Sequence, residues 1–350
     1  MIWYDWVVRK ILKEPLLCKV AKDAISSGNY DASISRCKTL ISNIEKITQR
    51  RTLTYFASTQ DTSAAFINDN DSMQIEDLLR LPNQYNGLDL ILNSGGGYAI
   101  SAERIINVCR TYVNKNKIKE FRVIIPRIAK SAATMVSLGA DKIILCNNAE
   151  LGPIDPQMIL IDANGRTISK PAYLIYNAVK GLMDRSHSFF GLNNEKYLLF
   201  LRQYNYDIFS SASNELELSK SISQKIFNRK RNKYPKLTED DFLIFVDPTK
   251  TLSHGRLVGF EDLKNTPLCG SGYISDLDTE FSHGGQKGLK KRKIETLNNS
   301  IWELLIRKSM LLDDTANAQV KSIEDTNFNF ISFNSDWKMP TIQQQPAQNQ

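Results

Sequence analysis

The chain has 350 residues, of which 42% are hydrophobic and 24% charged, and these proportions are typical of a globular protein with one large or two ordinary domains. A net charge of +7 permits an acidic partner without requiring one. The sequence has no apolar run long enough to span a bilayer and no signal-peptide order at its start, and its five cysteines form no Cys-x-x-Cys pair. These features exclude a disulfide scaffold and predict a reducing, cytoplasmic setting.

The first 50 residues are predicted to be helical, because apolar side chains recur there at helical spacing. We expect this N-terminal extension to pack on the body of the protein or to dock a protein partner. The stretch RTLTYFAS, rich in β-branched and aromatic residues, predicts a strand. SMQIEDLLRLPN predicts a short helix that ends near Pro82.

A regular alternation of strands and helices follows. GLDLILNS, FRVIIPRI and DKIILCN read as strands, whereas YAISAERIINVCRTYVNK and SAATMVSLGA read as the helices between them. Near-continuous apolar strands separated by helices are typical of a parallel sheet covered on both faces. Because right-handed crossovers place both strand-to-helix turns at the same sheet edge, the turn at 95–97 and the turn at 129–131 should be neighbours.

The second half of the chain carries weaker patterns. GPIDPQ is a turn, residues 171–236 read as helical, DFLIFV reads as a late strand, and SHGRLVGFEDLKN reads as a turn that leads into a helix. Residues 285–312 are again helical and include the basic run KGLKKRK, which is interpreted as a solvated face or as a contact for nucleic acid or membrane. The polar end, MPTIQQQPAQNQ, predicts disorder.

The three consecutive glycines at 95–97 admit three kinds of chemistry. A phosphate-binding loop would need Gly-Lys-Ser/Thr, and a dinucleotide fingerprint would need a third glycine where Ile100 stands. The remaining reading is an oxyanion site, in which free backbone N–H groups hold a developing negative oxygen. That site needs a nucleophile on the neighbouring turn, where Ser131 stands. From spacing alone, Ser131 is either this nucleophile or the N-cap of the following helix.

Three stretches, LILNSGGGYAISAERI, VIIPRIAKSAATMVSLGADKIIL and AELGPIDPQ, occur in order with short gaps. Together they resemble the serine dehydrogenase proteinase family of the Clp protease/crotonase fold superfamily, to which signal peptide peptidase A also belongs. The resemblance covers about residues 50–275. It implies an α/β fold, a Clp protease/crotonase-like stacked ββα superhelix, with a helical N-terminal extension and helical C-terminal additions.

The chain is expected to comprise four segments. We expect a helical N-terminal extension in residues 1–50 and a serine peptidase domain in residues 51–275. A basic and helical segment would occupy residues 276–335, and a disordered tail residues 336–350.

The resemblance also implies an activity, that of a serine endopeptidase of the Clp/signal peptide peptidase A superfamily. Ser131 would attack a peptide carbonyl, and the backbone N–H groups of Gly96 and Ala132, with Gly97 beside them, would hold the oxyanion. The expected substrate is a peptide or unfolded protein, the expected assembly is a homo-oligomer, and no cofactor or metal is implied.

The general base is left open by the sequence. SHGRLVGFEDLK places His254 on the family histidine, although a histidine there could also cap the helix that follows. Relatives of signal peptide peptidase A use a lysine, for which Lys170 is the candidate, and such a base needs desolvation. Asp155 is either an orienting or substrate-binding group or a plain turn residue. His187 and His283 read as exposed side chains.

Three departures from the family pattern bear on activity. Gly95 replaces a proline, Lys130 replaces an apolar residue, and Ala133 replaces a glycine. Two other functions are therefore considered, namely a non-catalytic scaffold or regulated subunit of the same fold, and acyl-CoA chemistry of the crotonase kind. The GPIDPQ turn argues against the acyl-CoA alternative.

Overall fold

A computed structural model describes most of the chain from Tyr30 onward. The described residues are 30–58, 63–116, 118–161, 166–186, 206–247, 250, 258–283, 289–313 and 319–333. Several sequence predictions lie outside them: the first 29 residues, His187, His254 and the polar tail.

The strands and helices alternate along the first half of the described chain. The strands are β1 Arg51–Ala57, β2 Leu88–Asn93, β3 Phe121–Ile125, β4 Ile128–Ala129, β5 Lys142–Leu145, β6 Glu150–Leu151, β7 Gln157–Ile161, β8 Thr167–Pro171, β9 Val258–Gly259, β10 Ile274–Asp276, β11 Gln319–Glu324 and β12 Asn329–Phe333. The helices are α1 Tyr30–Thr48, α2 Asp69–Arg80, α3 Ala99–Lys115, α4 Ala132–Gly139, α5 Ala172–Ser186, α6 Tyr206–Arg231, α7 Leu243–Val246, α8 Phe260–Leu263, α9 Pro267–Gly270, α10 Leu277–His283 and α11 Lys291–Leu312. Two 3-10 turns occupy Ser63–Ala65 and Glu239–Phe242.

A seven-stranded sheet organises the fold, in the order β10-β5-β3-β2-β1-β11-β12. The five strands from β10 to β1 are parallel, and β11 and β12 add to the edge beside β1 in antiparallel pairs. The described chain also forms two smaller sheets, with the strand orders β4-β6-β9 and β7-β8. The predicted parallel α/β sheet and its Clp protease/crotonase-like class are therefore confirmed.

The central strands and the helix α4 are buried, since most of their side chains are apolar and polar ones such as Asp89 and Arg122 pair with each other inside the protein. All residues of β1, β2 and β3 are buried, and so are all eight residues of α4. The longer α3 buries one stripe, as its spacing predicts: Ala102, Ile105, Ile106, Cys109 and Val113. This packing fixes the carboxyl ends of β2 and β3, where the two turns of interest begin.

The N-terminal helix α1 belongs to the core of the molecule. Its apolar stripe, which includes Cys37, Leu40, Ile41 and Ile44, is buried, and the helix packs against α11 and β1. The first of the two predicted arrangements, packing on the body of the protein, therefore holds for this helix. A partner-docking element remains a prediction for the residues before Tyr30.

Two predictions of local structure were wrong. DFLIFV is not a strand, since it forms the end of a 3-10 turn followed by α7. Thr238 and Asp241 form a capping box that starts helical geometry there, and a short apolar run does not by itself distinguish a strand from a buried helix. The segment after α11 was expected to be helical, but it forms β11 and β12.

None of the helices in the described ranges combines the length and the apolar character needed to cross a membrane.

Candidate active site

The two predicted turns lie side by side. Ser94, at the end of β2, and Ala129, in β4, form a parallel bridge. The N–H of Ser94 donates to Ile128 O and the N–H of Lys130 donates to Ser94 O, both at 3.1 Å. The Asn93 side chain accepts a further hydrogen bond from the N–H of Ile128, also at 3.1 Å. The expected convergence of the glycine turn and the serine turn is thus confirmed.

Gly96 makes the closest approach between these turns. Its φ is +112°, and a Cβ placed on it would lie 2.7 Å from Lys130 O and 2.9 Å from the Cβ of Ser131. Both the backbone angle and the missing space require glycine at this position. The absence of a side chain on Gly96 is what brings the glycine turn against Ser131.

The other two glycines differ from each other. Gly97 packs on the backbone of Ile67, because a Cβ there would lie 2.2 Å from Ile67 N. Ile67 donates its N–H to Gly96 O and accepts the N–H of Tyr98, each at 2.9 Å, and this fixes the turn from its far side. Gly95 is exposed, and no atom lies within 4 Å of a Cβ placed on it.

Ser131 has an unusual backbone. Its φ of 49° and ψ of −120° lie in a region that side-chain-bearing residues rarely adopt, at a cost of about 1–3 kcal/mol. It occupies the N-cap position of α4, yet its side chain makes no capping hydrogen bond. Its N–H donates to Pro153 O at 3.1 Å, and the residue is partly exposed. The simple helix-cap interpretation of this serine is therefore not supported.

Both turns contain backbone N–H groups that could act as donors. The N–H of Gly96 is engaged, because it donates to Ser94 Oγ at 3.1 Å. Within the part of the chain that the structure describes, the N–H groups of Gly97 and Ala132 have no hydrogen-bond acceptor. Ala132 N lies 3.2 Å from where a Cβ of Gly96 would stand, so the donor of α4 is next to the glycine turn.

Thr134 joins the serine turn to the GPIDPQ turn, a role that the sequence analysis missed. Its buried Oγ1 lies 2.7 Å from Ala129 O and 2.7 Å from Gly152 O. The N–H of Gly152 also donates to Ala129 O, at 2.8 Å. The threonine belongs to the serine motif, but its two acceptors lie in β4 and in the distant GPIDPQ turn, and no sequence pattern indicates such contacts.

The three departures from the family pattern leave the site open. Gly95 faces free space, and Ala133 is buried in the core cluster, so its extra methyl group packs inside the protein. The side chain of Lys130 lies against Gly152, where a Cβ would stand 2.7 Å from Lys130 Cγ.

The candidate bases are placed differently. His254 lies outside the described residues, but the chain on both sides of it is anchored beside the serine turn. The N–H of Ile154 donates to Phe245 O at 2.7 Å, and Val258 pairs with Leu151, which itself pairs with Ala129. The matching candidate Lys170 is exposed on β8, opposite Met158.

Asp155 is buried in the GPIDPQ turn. The amide of Gln157 donates to Asp155 O at 3.3 Å and to Asp155 Oδ2 at 3.2 Å. This geometry favours a role in holding the turn. His283 lies at the end of α10, away in sequence from both turns. Among the residues with described positions, no three acidic, histidine or cysteine side chains are grouped as metal ligands.

Part of the chain matches a known protein family. Residues 36–176, about two fifths of the chain, match the model of the family described as ClpP-like SDH-type serine proteinase. The resemblance found in the sequence is confirmed over this segment, which contains both turns. The family match supports serine peptidase chemistry in general.

The curated relatives cover a smaller part of the chain. The uncharacterized proteins MJ0137 and MJ1495 of Methanocaldococcus jannaschii are 38% and 37% identical over 93 residues, 27% of this chain. The match spans 31% and 30% of their respective lengths, so the chain corresponds to about three tenths of either relative.

Two solved structures of a 1510-N membrane-bound stomatin-specific protease are also similar. A serine-to-alanine mutant is 19% identical and covers 42% of this chain and 68% of its own. A lysine-to-alanine mutant with a substrate peptide is 15% identical and covers 72% and 98%. Both have a TM-score of 0.25, which is too low to carry residues or activity over to this chain.

Proposed function

We propose that this protein is a serine endopeptidase of the Clp/signal peptide peptidase A superfamily in which Ser131 is the nucleophile. The observation that carries the proposal is the local geometry. A serine in a strained, uncapped conformation lies against a glycine turn, and two backbone N–H groups beside it have no acceptor in the described structure. Strain of this kind recurs where a nucleophile is held at a sharp strand-to-helix turn.

In the proposed reaction, Ser131 Oγ attacks the carbonyl carbon of a peptide bond, and the carbonyl oxygen becomes an oxyanion. The N–H groups of Gly97 and Ala132 donate to that oxyanion. Gly96 serves the close approach of the turns, since its own N–H already donates to Ser94. Loss of one such donor costs about 2.7–4 kcal/mol of transition-state stabilisation.

His254 is the proposed general base, which takes the hydroxyl proton and returns it to the leaving amine. Four extended residues span about 13 Å. A histidine four residues before Val258 can therefore reach the serine two strands away. Lys170 is the second candidate. Its side chain is exposed in the single chain, so it would need a bound substrate or a second subunit to desolvate it.

The proposed substrate is a peptide or unfolded protein segment with apolar side chains. Tyr98 and Ile100 follow the glycine turn directly and are 59% and 49% exposed. Large apolar side chains exposed beside free backbone donors provide a surface for an extended peptide.

We also propose a homo-oligomer, in keeping with the ClpP-like family match, and a reducing, cytoplasmic setting. Cys37, Cys109 and Cys146 are buried free thiols, and burial raises their pKa values to about 11, 12 and 12 respectively. Light scattering on purified protein tests the assembly, and a monomer at all concentrations would contradict it.

The activity is tested by hydrolysis of a fluorogenic casein. Ser131→Ala should lower kcat by about 10⁴-fold or more, because the nucleophile is lost. Ser137→Ala is the matched control in the same helix and should retain activity, since its hydroxyl only donates to Ala133 O. Equal activity of wild type and Ser131→Ala would refute the proposal. Turnover absent from all three proteins would favour the non-catalytic scaffold.

The base is tested by comparing His254→Ala with Lys170→Ala. If His254 is the base, its variant loses activity and the wild-type rate falls as pH drops below about 6.5. If Lys170→Ala is the inactive variant and the rate rises into the alkaline range, the lysine is the base.

A further inference from the structure

A cavity lies beside the GPIDPQ turn, between α6 and the segment 239–247. Its volume is about 320 Å³, within the range of small-molecule sites. The walls are largely apolar and come from the turn, from α6 and from the segment: Ile154, Pro156, Leu216, Phe227, Phe242 and Val246.

Two serine hydroxyls of α6 line this cavity without a partner. Ser219 is 6% exposed, and its Oγ and the buried Oγ of Ser223 have no hydrogen-bond partner among the described residues. A serine inside a helix usually satisfies its hydroxyl with the carbonyl four residues earlier. Ser219 and Ser223 do not, although they lie one turn apart on the same face. Buried hydroxyls that no protein group satisfies normally bond to an ordered water or to a bound molecule.

The rim of the cavity is polar. Gln224 donates to Glu239 Oε1 at 3.1 Å across the gap between α6 and the segment, and Lys220 and Asp247 also line the opening. An apolar interior, two buried hydroxyls and a charged rim define the complementary occupant. It needs an apolar body and at least one group that donates or accepts a hydrogen bond.

This cavity is distinct from the proposed active site. Neither Ser131 nor the free donors at Gly97 and Ala132 belong to its lining. The two sites share a wall, because Ile154 follows Pro153, whose carbonyl accepts the N–H of Ser131.

We propose that the cavity binds a small, neutral organic molecule with a ring as its body and a hydroxyl or similar polar group as its head. The volume equals about ten waters, which suits one or two rings. The ring packs against Ile154 and the edge-to-face pair of Phe227 and Phe242, whose centroids are 5.8 Å apart, and the polar head meets Ser219 and Ser223. The proposal does not depend on the peptidase activity.

The test uses p-cresol and p-xylene, which have the same shape and differ only by a hydroxyl and a methyl group. Binding to the full chain is measured by NMR titration. Wild type should bind p-cresol with a Kd of about 1 mM or tighter. Ser219→Ala should raise the Kd for p-cresol by about 3–10-fold, because one hydrogen bond is lost. The Kd for p-xylene should change by less than about twofold.

Two larger variants complete the experiment. Ser219→Leu fills the cavity and should abolish binding of both compounds. Ser221→Leu, on the exposed face of the same helix, should bind as wild type does. Thermal melts establish that each variant folds. The inference is overturned if wild type binds neither compound, if Ser219→Ala affects both equally, or if Ser221→Leu loses binding as Ser219→Leu does. If the chain's own residues already fill the cavity, wild type will bind neither compound.

Discussion

The polar groups at the two ends of strand β2 differ in whether they have hydrogen-bond or ion-pair partners. At its amino end, Asp89 is fully buried, and every charge near it is paired. Its carboxylate accepts from Arg50 Nε at 2.5 Å and from Arg122 Nε and Nη2 at 2.8 and 2.7 Å. At its carboxyl end, the strand leads into a turn with a free N–H at Gly97, opposite the strained Ser131.

The amino end extends into a network on three strands and a helix. Arg122 also meets Glu280 of α10 at 3.4 Å, and Glu280 pairs with Lys142 of β5 at 2.8 Å. Buried charges of this kind must be paired, and the partners here satisfy one another within the chain. The network therefore serves the fold.

The carboxyl end leaves its groups unsatisfied. At this sheet edge the N–H groups of Gly97 and Ala132 have no acceptor in the described chain, and Ser131 has a strained backbone, which is the pattern expected of a site prepared for a reaction. Parallel α/β sheets place their ligands at this edge. The contrast indicates that the paired charges at one end of the sheet serve the fold, whereas the unpaired donors at the other end are available for chemistry. Four experiments test this difference.

The largest effect is expected at the paired end. Asp89→Asn should lower the free energy of unfolding by about 3–5 kcal/mol at pH 7, because Arg50 and Arg122 each lose a fully buried counter-charge. Burial alone would raise the pKa of Asp89, but Arg122 and Arg50 outweigh it and hold the pKa below its usual value.

The carboxylate of Asp89 consequently stabilises the fold above about pH 4, and this contribution is lost as the pH falls through the lowered pKa. Urea unfolding should show a difference in the free energy of unfolding between wild type and Asp89→Asn at pH 7, and this difference should become smaller in acid. A difference that is constant with pH would contradict the account.

At the unsatisfied end, Gly96→Ala should reduce kcat/KM by about 100-fold or more, because the new methyl group collides with Lys130 O and moves Ser131 away from the donors. Gly95→Ala is the matched control. Its Cβ enters open space, so activity should stay within about twofold. Similar losses in the two variants would show that the turn does not position the serine.

Thr134→Val tests the link between the serine turn and the GPIDPQ turn. The variant keeps the side-chain shape and loses the hydroxyl between Ala129 O and Gly152 O, at a cost of about 1–3 kcal/mol of stability. We expect kcat to fall about tenfold with little change in KM, and Thr134→Ser to restore it. A loss of stability without a change in kcat would assign Thr134 to the fold alone.

The smallest effect concerns backbone strain. Ser131→Gly should raise the free energy of unfolding by about 1 kcal/mol relative to Ser131→Ala, because glycine adopts a φ of 49° without steric cost. Chemical denaturation of both inactive variants measures the difference. An equal or lower stability of the glycine variant would mean that the serine is not strained.

The sequence predicted the elements whose signals are local. The apolar runs at β2, β3 and β5 and the stripe on α3 identified the parallel sheet, and the handedness rule predicted that the turns at 95–97 and 129–131 meet. Position alone left Ser131 as either a nucleophile or a helix N-cap, and the resemblance to the serine dehydrogenase proteinase family favoured the nucleophile.

Other features depend on distant partners and escaped prediction. The strand β11 contains Lys321 and Glu324, which are buried only because Asp71 and Lys308 pair with them at 2.7 and 2.6 Å. No pattern within the sequence QVKSIE predicts these ion pairs. The difference between Gly96 and Gly97 likewise rests on one hydrogen bond to Ser94, which only coordinates reveal.

The central claim is that the serine at the meeting point of the two turns is a nucleophile. Treatment of the full chain with a fluorophosphonate, followed by peptide mapping, tests it most directly. The account predicts a single adduct on Ser131, absent from Ser131→Ala and retained in Ser137→Ala. An adduct on another residue, or no adduct on folded wild-type protein, would contradict it.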